Sequence, residues 1–550
     1  MRFTRKVCSL LSAGALLLVP VIASEAENQE VFASYEYYDD QFAQNCLSFD
    51  PASFIYNTTL TNLNYVPAGT NINMTGNDMT CGRPNQTTTV DMCRISLFIP
   101  TSNQSSIVFE AWLPRNWSGR FLGTGNGGID GCVKYEDLAY ATQYGFAAVG
   151  SNNGHNGTYF DSIQNDDVIE DFAYRSLHTM VESGKTLVNE FYGRPQNKSY
   201  YLGCSLGGRQ GIHAAEVYPN DFDGIVAGSP ALDFNNMVAW RGHFYPITGS
   251  NMSENFITNE MWTGLIHDEV LRQCDGLDGV YDGIIEDPTL CIFRPEAIMC
   301  GPDDYENSTS CLNTYQVQQV NEIFAPYYGI DGQLIYPAMQ PGSEIQAIQR
   351  LYAGAPFPYS RDWFKYVVFK DPHFDPAYFN RTHAAIVAEY NPFNIQTYPT
   401  NLSDFMETGG KILTYHGQQD NQITSFNSIR FYNHLQRGMN MLPYELDEFY
   451  RFFRISGMFH CSAGPGAWVI GQGGGKSYAG IPFEPEHNVL AAVVAWVENG
   501  TAPEYIEGTK FVNDTIAEGI SFTRKHCKYP ARNTYMGGDA YDPMNWMCME

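Results

Sequence analysis

The stretch SYYLGCSLGGRQGIHAAEVYP, residues 199–219, decides the fold of this chain. It opens with a short apolar run of residues that favour strands, ends with a run that fits a helix, and turns sharply between them at GCSLG. That pentapeptide fits the pattern G-x-S-x-G with Ser205 at its centre. A serine on a tight strand-to-helix turn is typical of a nucleophile elbow, in which the glycines permit the turn and the helix amino terminus faces developing negative charge.

The segments around this turn alternate strands with helices. Residues 106–128 predict two strands that end in a glycine-rich loop, residues 146–154 predict a further strand and turn, and residues 177–192 predict an amphipathic helix. Another buried strand follows at 222–230. This order predicts a mostly parallel α/β sheet with helices packed on its faces.

The regular alternation stops in the middle of the chain. Residues 231–400 are aromatic, acidic and rich in loops, with four cysteines, and we interpret them as an inserted lid domain. A short apolar strand at 410–417 and an apolar helix at 489–500 then return to the earlier pattern. We therefore expect an α/β-hydrolase fold whose catalytic domain consists of residues 26–230 and 401–550.

Two further residues complete a candidate catalytic triad. A serine hydroxyl is a weak nucleophile at neutral pH and needs an adjacent base that a carboxylate orients. Asp420, in HGQQDNQI, follows a predicted strand, and His460, in SGMFHCSAG, lies in a glycine-flanked loop nearer the carboxyl terminus. The order Ser205, Asp420, His460 is the one that hydrolases of this fold use.

Other residues are also candidates for the acid and for the base. The alternative acids are Asp404 and Asp447, and the alternative bases are His416, His487 and His526. His416 should lie in a strand or at its end, which makes it a weaker candidate for a mobile base. His460 is favoured because Cys461 follows it directly.

A disulfide between Cys204 and Cys461 would join the nucleophile to the base. Cys204 directly precedes Ser205, so the bridge would hold the serine turn and the histidine loop in one position and limit displacements that slow catalysis. The alternative is that Cys204 is only a small buried residue. We expect the bridge, because both cysteines adjoin the candidate triad.

Oxyanion stabilisation requires two backbone N–H donors. One usually belongs to the residue after the nucleophile, which is Leu206. The other should come from a loop after an earlier strand, and GTGNGGIDG at residue 123 supplies one, which indicates Gly127 or Gly128.

Composition and leader sequence favour an exported protein. Lys and Arg number 32 and Asp and Glu 60, a net charge of −28, which disfavours nucleic acid as a partner. Residues 1–25 combine a basic start, an apolar run and small residues near the end, which predicts a signal peptide; the run is too short to span a membrane. Its removal leaves twelve cysteines, an even number, as disulfides require.

Thirteen N-x-Ser/Thr sequons agree with this route through the secretory pathway. They are Asn57, Asn73, Asn85, Asn103, Asn116, Asn156, Asn197, Asn251, Asn307, Asn380, Asn401, Asn499 and Asn513. We therefore expect a secreted, glycosylated protein with no membrane partner.

The motifs resemble those of the fungal tannase and feruloyl esterase family. The resemblance rests on GNGG at residue 125, GCSLGG at 203, CDGLDGVYDGII at 274, HGQQD at 416 and GMFHC at 457, and so covers most of the chain. It implies an α/β-hydrolase body, a lid that shapes the acid-binding pocket, and a bridge between the cysteines beside the serine and the histidine.

The resemblance also bears on cations and on disulfides. Asp275, Asp278 and Asp282 offer hard oxygen ligands around tight turns, and the carbonyls of Val280 and Ile284 would complete a calcium shell. Acidic glycine-rich turns are often simply solvated; with the family resemblance we expect structural Ca²⁺ and no organic cofactor. The other implied bridges are Cys46–Cys93, Cys81–Cys132, Cys274–Cys291, Cys300–Cys311 and Cys527–Cys548.

The resemblance implies a serine esterase that releases ferulate, caffeate or p-coumarate from plant cell-wall polysaccharide or phenolic esters. Tannase, which hydrolyses gallate esters, is the alternative; the short stretch between Cys300 and Cys311 has no dibasic processing site, which favours the first. A catalytically inactive glycosylated binding protein on the same scaffold is a hypothesis of another class, because fold does not fix function. The oligomeric state is not predicted.

Overall fold

The computed structural model describes residues 40–158, 165–302, 309–473 and 480–550. The predicted signal peptide and the sequon at Asn307 lie outside these residues.

A nine-stranded mixed sheet is the centre of the described chain. Across the sheet its strands are β1 (Thr59–Val66), β4 (Met92–Pro100), β5 (Ser106–Pro114), β7 (Phe146–Ser151), β6 (Arg120–Thr124), β8 (Lys198–Cys204), β9 (Gly224–Gly228), β12 (Lys411–Gly417) and β13 (Tyr450–Ile455). The first four are joined by antiparallel pairing, and from β7 to β13 every neighbouring pair is parallel. The predicted mostly parallel α/β sheet is confirmed.

The remaining strands form four two-stranded sheets in the described residues. They are β2 (Asn71–Asn73) with β3 (Asn85–Thr87), β10 (Tyr327–Tyr328) with β11 (Leu334–Tyr336), β14 (Tyr505–Phe511) with β15 (Ile520–Cys527), and β16 (Arg532–Tyr535) with β17 (Trp546–Met549). The α-helices are α1 (Gln41–Ser48), α2 (Tyr135–Gln143), α3 (Asp166–Glu170), α4 (Ser176–Tyr192), α5 (Leu206–Val217), α6 (Phe234–Thr248), α7 (His267–Cys274), α8 (Thr314–Ile323), α9 (Glu344–Ala347), α10 (Pro358–Asp362), α11 (Arg381–Tyr390), α12 (Ser403–Glu407), α13 (Phe426–Gly438), α14 (Pro443–Leu446) and α15 (Val489–Asn499).

Helices cover both faces of the large sheet. On one face α4, α5 and α13 bury apolar side chains such as Leu187, Ile212 and Leu435 in one cluster. On the other face α2 and α15 contribute to a second cluster, with Leu138 and Val493 fully buried. Coverage of both faces explains why the central strands are continuous apolar runs instead of alternating ones.

The chain between β9 and β12 forms an insertion with its own apolar cluster. Three tryptophans, Trp240, Trp262 and Trp363, are buried in it. The same cluster includes Leu206, so the insertion packs against the residue that follows the candidate nucleophile. The predicted lid boundaries, 231 and 400, fall within this insertion, and their assignment as a separate domain stays a prediction.

Six disulfides join cysteines of the described chain. The pairs are Cys46–Cys93, Cys81–Cys132, Cys204–Cys461, Cys274–Cys291, Cys300–Cys311 and Cys527–Cys548. This is the connectivity that the family resemblance implied. Among the described residues, no helix combines the length and the apolar character needed to cross a membrane.

Candidate active site

Ser205 lies on a strained turn between β8 and α5. Its backbone angles are φ 63° and ψ −119°, a conformation that costs energy for a residue with a side chain. The turn is also crowded: a β-carbon on Gly203 would lie 2.7 Å from the carbonyl carbon of Gly207. The glycines are therefore required by close backbone approach, and the turn holds Ser205 at the carboxyl edge of the sheet.

Asp420 lies three residues beyond the end of β12, at the same edge of the sheet. Its Oδ1 accepts hydrogen bonds from the backbone N–H groups of Gln422 (2.8 Å) and Ile423 (2.9 Å). Its Oδ2 lies 2.7 Å from Nδ1 of His460 and 3.1 Å from Nε2 of His416. The carboxylate is fully buried, and these contacts fix both of its oxygens.

The surroundings of Asp420 decide its charge. Burial alone would raise the pKa of this carboxyl, but the charge of His460 and the hydrogen bonds from His416 and His460 outweigh burial and hold the pKa far below the ordinary value of 3.8. The acid therefore remains ionised over the pH range of most enzymes and can stabilise an imidazolium.

His460 belongs to the loop after β13, the neighbour of β12. The loop comes very close to the strand: a β-carbon on Gly417 would lie 2.3 Å from the carbonyl oxygen of Phe459. Glycine at the end of β12 thus allows the histidine loop to approach the acid. The side chain of His460 is 13% exposed, so one ring edge stays accessible while the other contacts Asp420.

The rival acids Asp404 and Asp447 and the rival base His526 lie away from Ser205, whereas the rival base His416 contacts Asp420. Asp404 is exposed on α12, and Asp447 accepts a hydrogen bond from Tyr432 Oη and pairs with Lys528. His526 Nε2 is 2.8 Å from the Ala467 carbonyl oxygen. None of these residues lines the cavity that Ser205 and His460 share.

The Cys204–Cys461 disulfide joins the two loops that carry Ser205 and His460. A ring nitrogen of His460 lies within 4.8 Å of both sulfur atoms. The bridge closes a sequence separation of 257 residues. It therefore places a covalent restraint next to both the serine and the histidine.

The predicted oxyanion donors lie beside Ser205. Within the described chain, the N–H groups of Leu206 and Gly128 donate no hydrogen bond, whereas Gly127 N–H donates to Asp130 Oδ1 at 3.3 Å. Gly127 and Gly128 both line the cavity of Ser205. Gly128 has φ 57°, and a β-carbon on it would lie 2.7 Å from the Tyr359 ring, which explains glycine at this position.

A cavity of about 270 Å³ contains the candidate site. Besides Ser205 and His460 it is lined by Tyr359, Tyr415 and charged side chains. The charged residues are Arg83, Asp130, Lys134, Glu136, Asp137 and Arg350. The Ser205 hydroxyl donates no hydrogen bond within the described residues, and it lines this cavity together with the imidazole.

Several residues that contact the site were not predicted from sequence. Tyr359 and Arg350 belong to the insertion and line the cavity. Gln340, also from the insertion, donates from its side-chain amide to the backbone oxygen of Asp420. No local pattern marks such residues, because only the packing of the insertion brings them to the sheet edge. His416 did carry a signal: it lies four residues before the acid.

The predicted calcium ligands belong to a partly buried acidic cluster. Arg524 pairs with Asp282 (2.9 Å) and with Glu286 (3.2 Å). Asp278 Oδ2 is buried without a hydrogen-bond partner in the described chain, and burial, with the nearby Glu286 and Asp282, raises the pKa of Asp278 to about 7. Burial also raises the pKa of Asp275. The cluster holds more carboxylates than Arg524 alone neutralises.

The loops that follow β8, β12 and β13 bring a serine, an aspartate and a histidine to the carboxyl ends of parallel strands of one sheet. This arrangement defines the α/β-hydrolases, and the chain has that fold. The chain belongs to the tannase and feruloyl esterase family, whose model matches residues 93–549, and it is a carboxylic ester hydrolase.

Relatives of known name cover nearly the whole chain. A protein of Aspergillus flavus called probable feruloyl esterase B-2 is 58% identical over 489 residues, 89% of this chain and 93% of that protein. A protein of Neosartorya fischeri with the same name is 49% identical over 512 residues, 93% of this chain and 96% of that protein.

Two solved structures are also similar to this chain. The crystal structure of feruloyl esterase B from Aspergillus oryzae is 48% identical, with a TM-score of 0.89, and the match covers 92% of this chain and 100% of that one. Tannin acyl hydrolase from Aspergillus niger is 19% identical with a TM-score of 0.69, covering 92% of this chain and 94% of that one, which shows a common fold.

Proposed function

We propose that the chain hydrolyses esters through an acyl-enzyme formed on Ser205, with His460 as the base and Asp420 as the acid that orients it. The observation that carries this proposal is the 2.7 Å contact between Asp420 Oδ2 and His460 Nδ1, in a cavity that Ser205 also lines. An ionised, buried carboxylate on Nδ1 leaves Nε2 of the ring as the proton acceptor.

In this mechanism His460 Nε2 takes the proton of Ser205 as Oγ bonds to the ester carbonyl carbon. The tetrahedral oxyanion accepts hydrogen bonds from Leu206 N–H and from Gly128 N–H or Gly127 N–H. The carbon–oxygen bond to the alcohol then breaks, and His460 gives its proton to the leaving alkoxide. A water molecule repeats the sequence on the acyl-enzyme, which releases the acid and regenerates Ser205.

The acyl group that we propose is a hydroxycinnamate: ferulate, caffeate or p-coumarate. A relative that is 58% identical is called probable feruloyl esterase B-2, and a solved structure that is 48% identical is called feruloyl esterase B. The cavity is lined by two tyrosines, Tyr359 and Tyr415, beside the polar loop of Gly127, which suits a planar phenolic ring with polar substituents. The alcohol would belong to a plant cell-wall polysaccharide or a polyphenol.

A substrate panel tests this assignment. We expect turnover of methyl ferulate, methyl caffeate and methyl p-coumarate with higher kcat/KM than methyl gallate, and at least about a 10³-fold loss of kcat in Ser205→Ala. Preference for methyl gallate would replace the proposal by tannase activity. If no ester is turned over and Ser205→Ala behaves like the unaltered protein, the chain is a binding protein. A small peptide substrate serves as the negative control.

We also propose that the protein is secreted and glycosylated. All twelve sequon asparagines within the described residues are exposed, and these residues also contain six disulfides, which form in oxidising compartments. Expression in a eukaryotic secretory host should yield protein in the medium whose mass falls on treatment with an N-glycosidase. Protein retained in cells with no change in mass would contradict this proposal.

We propose that the acidic cluster binds a structural calcium ion. Hard cations bind carboxylate and carbonyl oxygens, and Asp278 Oδ2 is a buried oxygen with no hydrogen-bond partner among the described residues. Asp275, Asp278 and Asp282 would hold the ion with the carbonyl oxygens of Val280 and Ile284. Bound there, the ion would supply positive charge that offsets the buried carboxylates; it takes no part in ester hydrolysis.

A further inference from the structure

His416 occupies a buried position directly beneath the candidate triad. It lies near the end of β12, it is completely buried, and it makes hydrogen bonds on both ring nitrogens. Nε2 is 3.1 Å from Asp420 Oδ2 and 3.0 Å from the carbonyl oxygen of Ile423. Nδ1 is 2.7 Å from Oγ of Ser428.

These contacts assign the proton on the ring of His416. A carbonyl oxygen and an ionised carboxylate only accept hydrogen bonds, so Nε2 must carry a proton. The Ser428 hydroxyl can donate to Nδ1, and the neutral ring then satisfies every contact without a buried positive charge. His416 is thus held as the Nε2–H tautomer that donates to the catalytic acid.

We propose that His416 is a positioning residue for Asp420. It shares Oδ2 with His460, completes four donors around the carboxylate, and thereby fixes the orientation of the carboxylate toward His460 while withdrawing part of its negative charge. This inference rests on the proposed triad and adds to it a residue that never touches the substrate.

The arrangement has a measurable consequence for catalysis. Loss of the Nε2–H donor leaves more negative charge on Asp420 Oδ2 and allows the carboxylate to rotate. The first effect stabilises protonated His460 and moves the acid limb of the kcat/KM profile to higher pH; the second lowers kcat.

Other charged groups act on the same pair. Arg241, on α6, interacts electrostatically with Asp420. The cavity that His460 lines also contains charged side chains. These are Arg83, Asp130, Lys134, Glu136, Asp137 and Arg350. All of them are unchanged in the variants below, so a difference between variants at one pH belongs to position 416.

The test compares His416→Leu with His416→Gln. Leucine fills the space without a donor, whereas a glutamine amide can place an N–H group near the position of Nε2. We expect His416→Leu to lose about tenfold or more in kcat and to shift the acid limb upward by about half a pH unit, and His416→Gln to restore most of both. Thr414→Val, a buried change on the same strand, is the control for general damage and should keep the unaltered profile.

A spectroscopic readout makes the test independent of turnover. The low-field proton resonance of His460 Nδ1–H, identified by its loss in His460→Gln, should move in His416→Leu and return toward its original position in His416→Gln. The proposal is overturned if resonance and pH profile coincide in all folded variants, or if glutamine is no better than leucine. Failure of the proposed triad looks different: Ser205→Ala then keeps full activity.

Discussion

The side-chain amide of Gln419 donates a 2.7 Å hydrogen bond to the carbonyl oxygen of Ile285. Gln419 directly precedes Asp420, and Ile285 directly follows Ile284, whose own carbonyl oxygen is a proposed calcium ligand. Both Gln419 and Ile285 are buried, with exposed fractions of 2%. The acidic cluster of the insertion and the loop of the catalytic acid are therefore in direct contact, and cation binding should influence both stability and the position of the acid.

Removal of calcium should lower the melting temperature. A ligand at a hundredfold excess over its Kd stabilises the folded state by about 2.7 kcal/mol, so EDTA should lower Tm measurably and added Ca²⁺ should restore it. Differential scanning calorimetry with and without EDTA measures the effect. Asp278→Asn should have a lower Tm that EDTA no longer changes; an Asp278→Asn protein that responds to EDTA like the unaltered chain would place the ion elsewhere.

The contact of Gln419 with Ile285 predicts that the effect of calcium on stability can be separated from its effect on the position of the catalytic acid. Gln419→Met keeps the volume of the side chain but removes the donor. We expect its Tm to remain sensitive to EDTA while its kcat falls by about threefold to tenfold, because the acid loop loses one restraint. Stopped-flow or steady-state assays on methyl ferulate, run beside calorimetry on the same samples, check this; equal kcat in both proteins would contradict the coupling.

Asp420 and not Asp404 should be the catalytic acid. Asp420→Asn removes the charge that stabilises protonated His460 and favours the wrong tautomer, and in Ser-His-Asp enzymes this change costs about 10⁴-fold in kcat. Asp404→Asn is the matched control, because it makes the same chemical change on an exposed residue of α12. Both proteins should fold with similar circular dichroism spectra. A large loss of kcat in Asp404→Asn, with little loss in Asp420→Asn, would assign the role of the catalytic acid to Asp404.

The Cys204–Cys461 bridge should matter more for rate than other bridges do. The double variant Cys204→Ala, Cys461→Ala should lose about 2–4 kcal/mol of stability and about 10²-fold in kcat at a temperature where it is fully folded. The control is Cys300→Ala, Cys311→Ala, which removes a bridge of separation 11 whose cysteines do not line the cavity. It should keep kcat near that of the unaltered protein. Unchanged kcat in the first variant would exclude the bridge from the mechanism.

An ion pair next to the acid loop should make stability depend on pH. His267 Nδ1 lies 2.6 Å from Glu344 Oε1, at the end of the segment that begins with Gln340. Burial lowers the pKa of His267, but the hydrogen bond and charge of Glu344 outweigh burial and raise it above 6.5. The ion pair of His267 and Glu344 therefore contributes fully to the free energy of unfolding below about pH 6.5, and this contribution is lost as pH rises through the pKa of His267 in the folded state.

The comparison that checks this pH dependence is His267→Gln. Its free energy of unfolding should be lower than that of the unaltered protein by on the order of 1 kcal/mol at pH 5.5, and the difference should shrink by pH 8.5. Urea unfolding at both pH values measures it. A constant difference, or one that grows with pH, would contradict the raised pKa.

The sequence alone determined the fold class and the candidate nucleophile. Residues 199–219 carry the strand, the turn and the helix in one local stretch, so the signals for β8, Ser205 and α5 are independent of the rest of the fold. The order of Ser205, Asp420 and His460 along the chain indicated the acid and the base of the triad as well. Residues that follow different parallel strands can meet in this way, because the carboxyl ends of those strands lie at one edge of the sheet. The chain also carries the motifs of its family, which implied the disulfide connectivity.

Only the tertiary structure decided how these groups are arranged. Which ring nitrogen of His460 faces the acid depends on the loop after β13, and the contacts of Gln340 and Tyr359 with the site depend on the packing of the insertion. These contacts join residues far apart in sequence, so no local periodicity or propensity encodes them. Ser205 is a local signal, whereas the hydrogen-bonded surroundings that set the charge of Asp420 are a property of the folded chain.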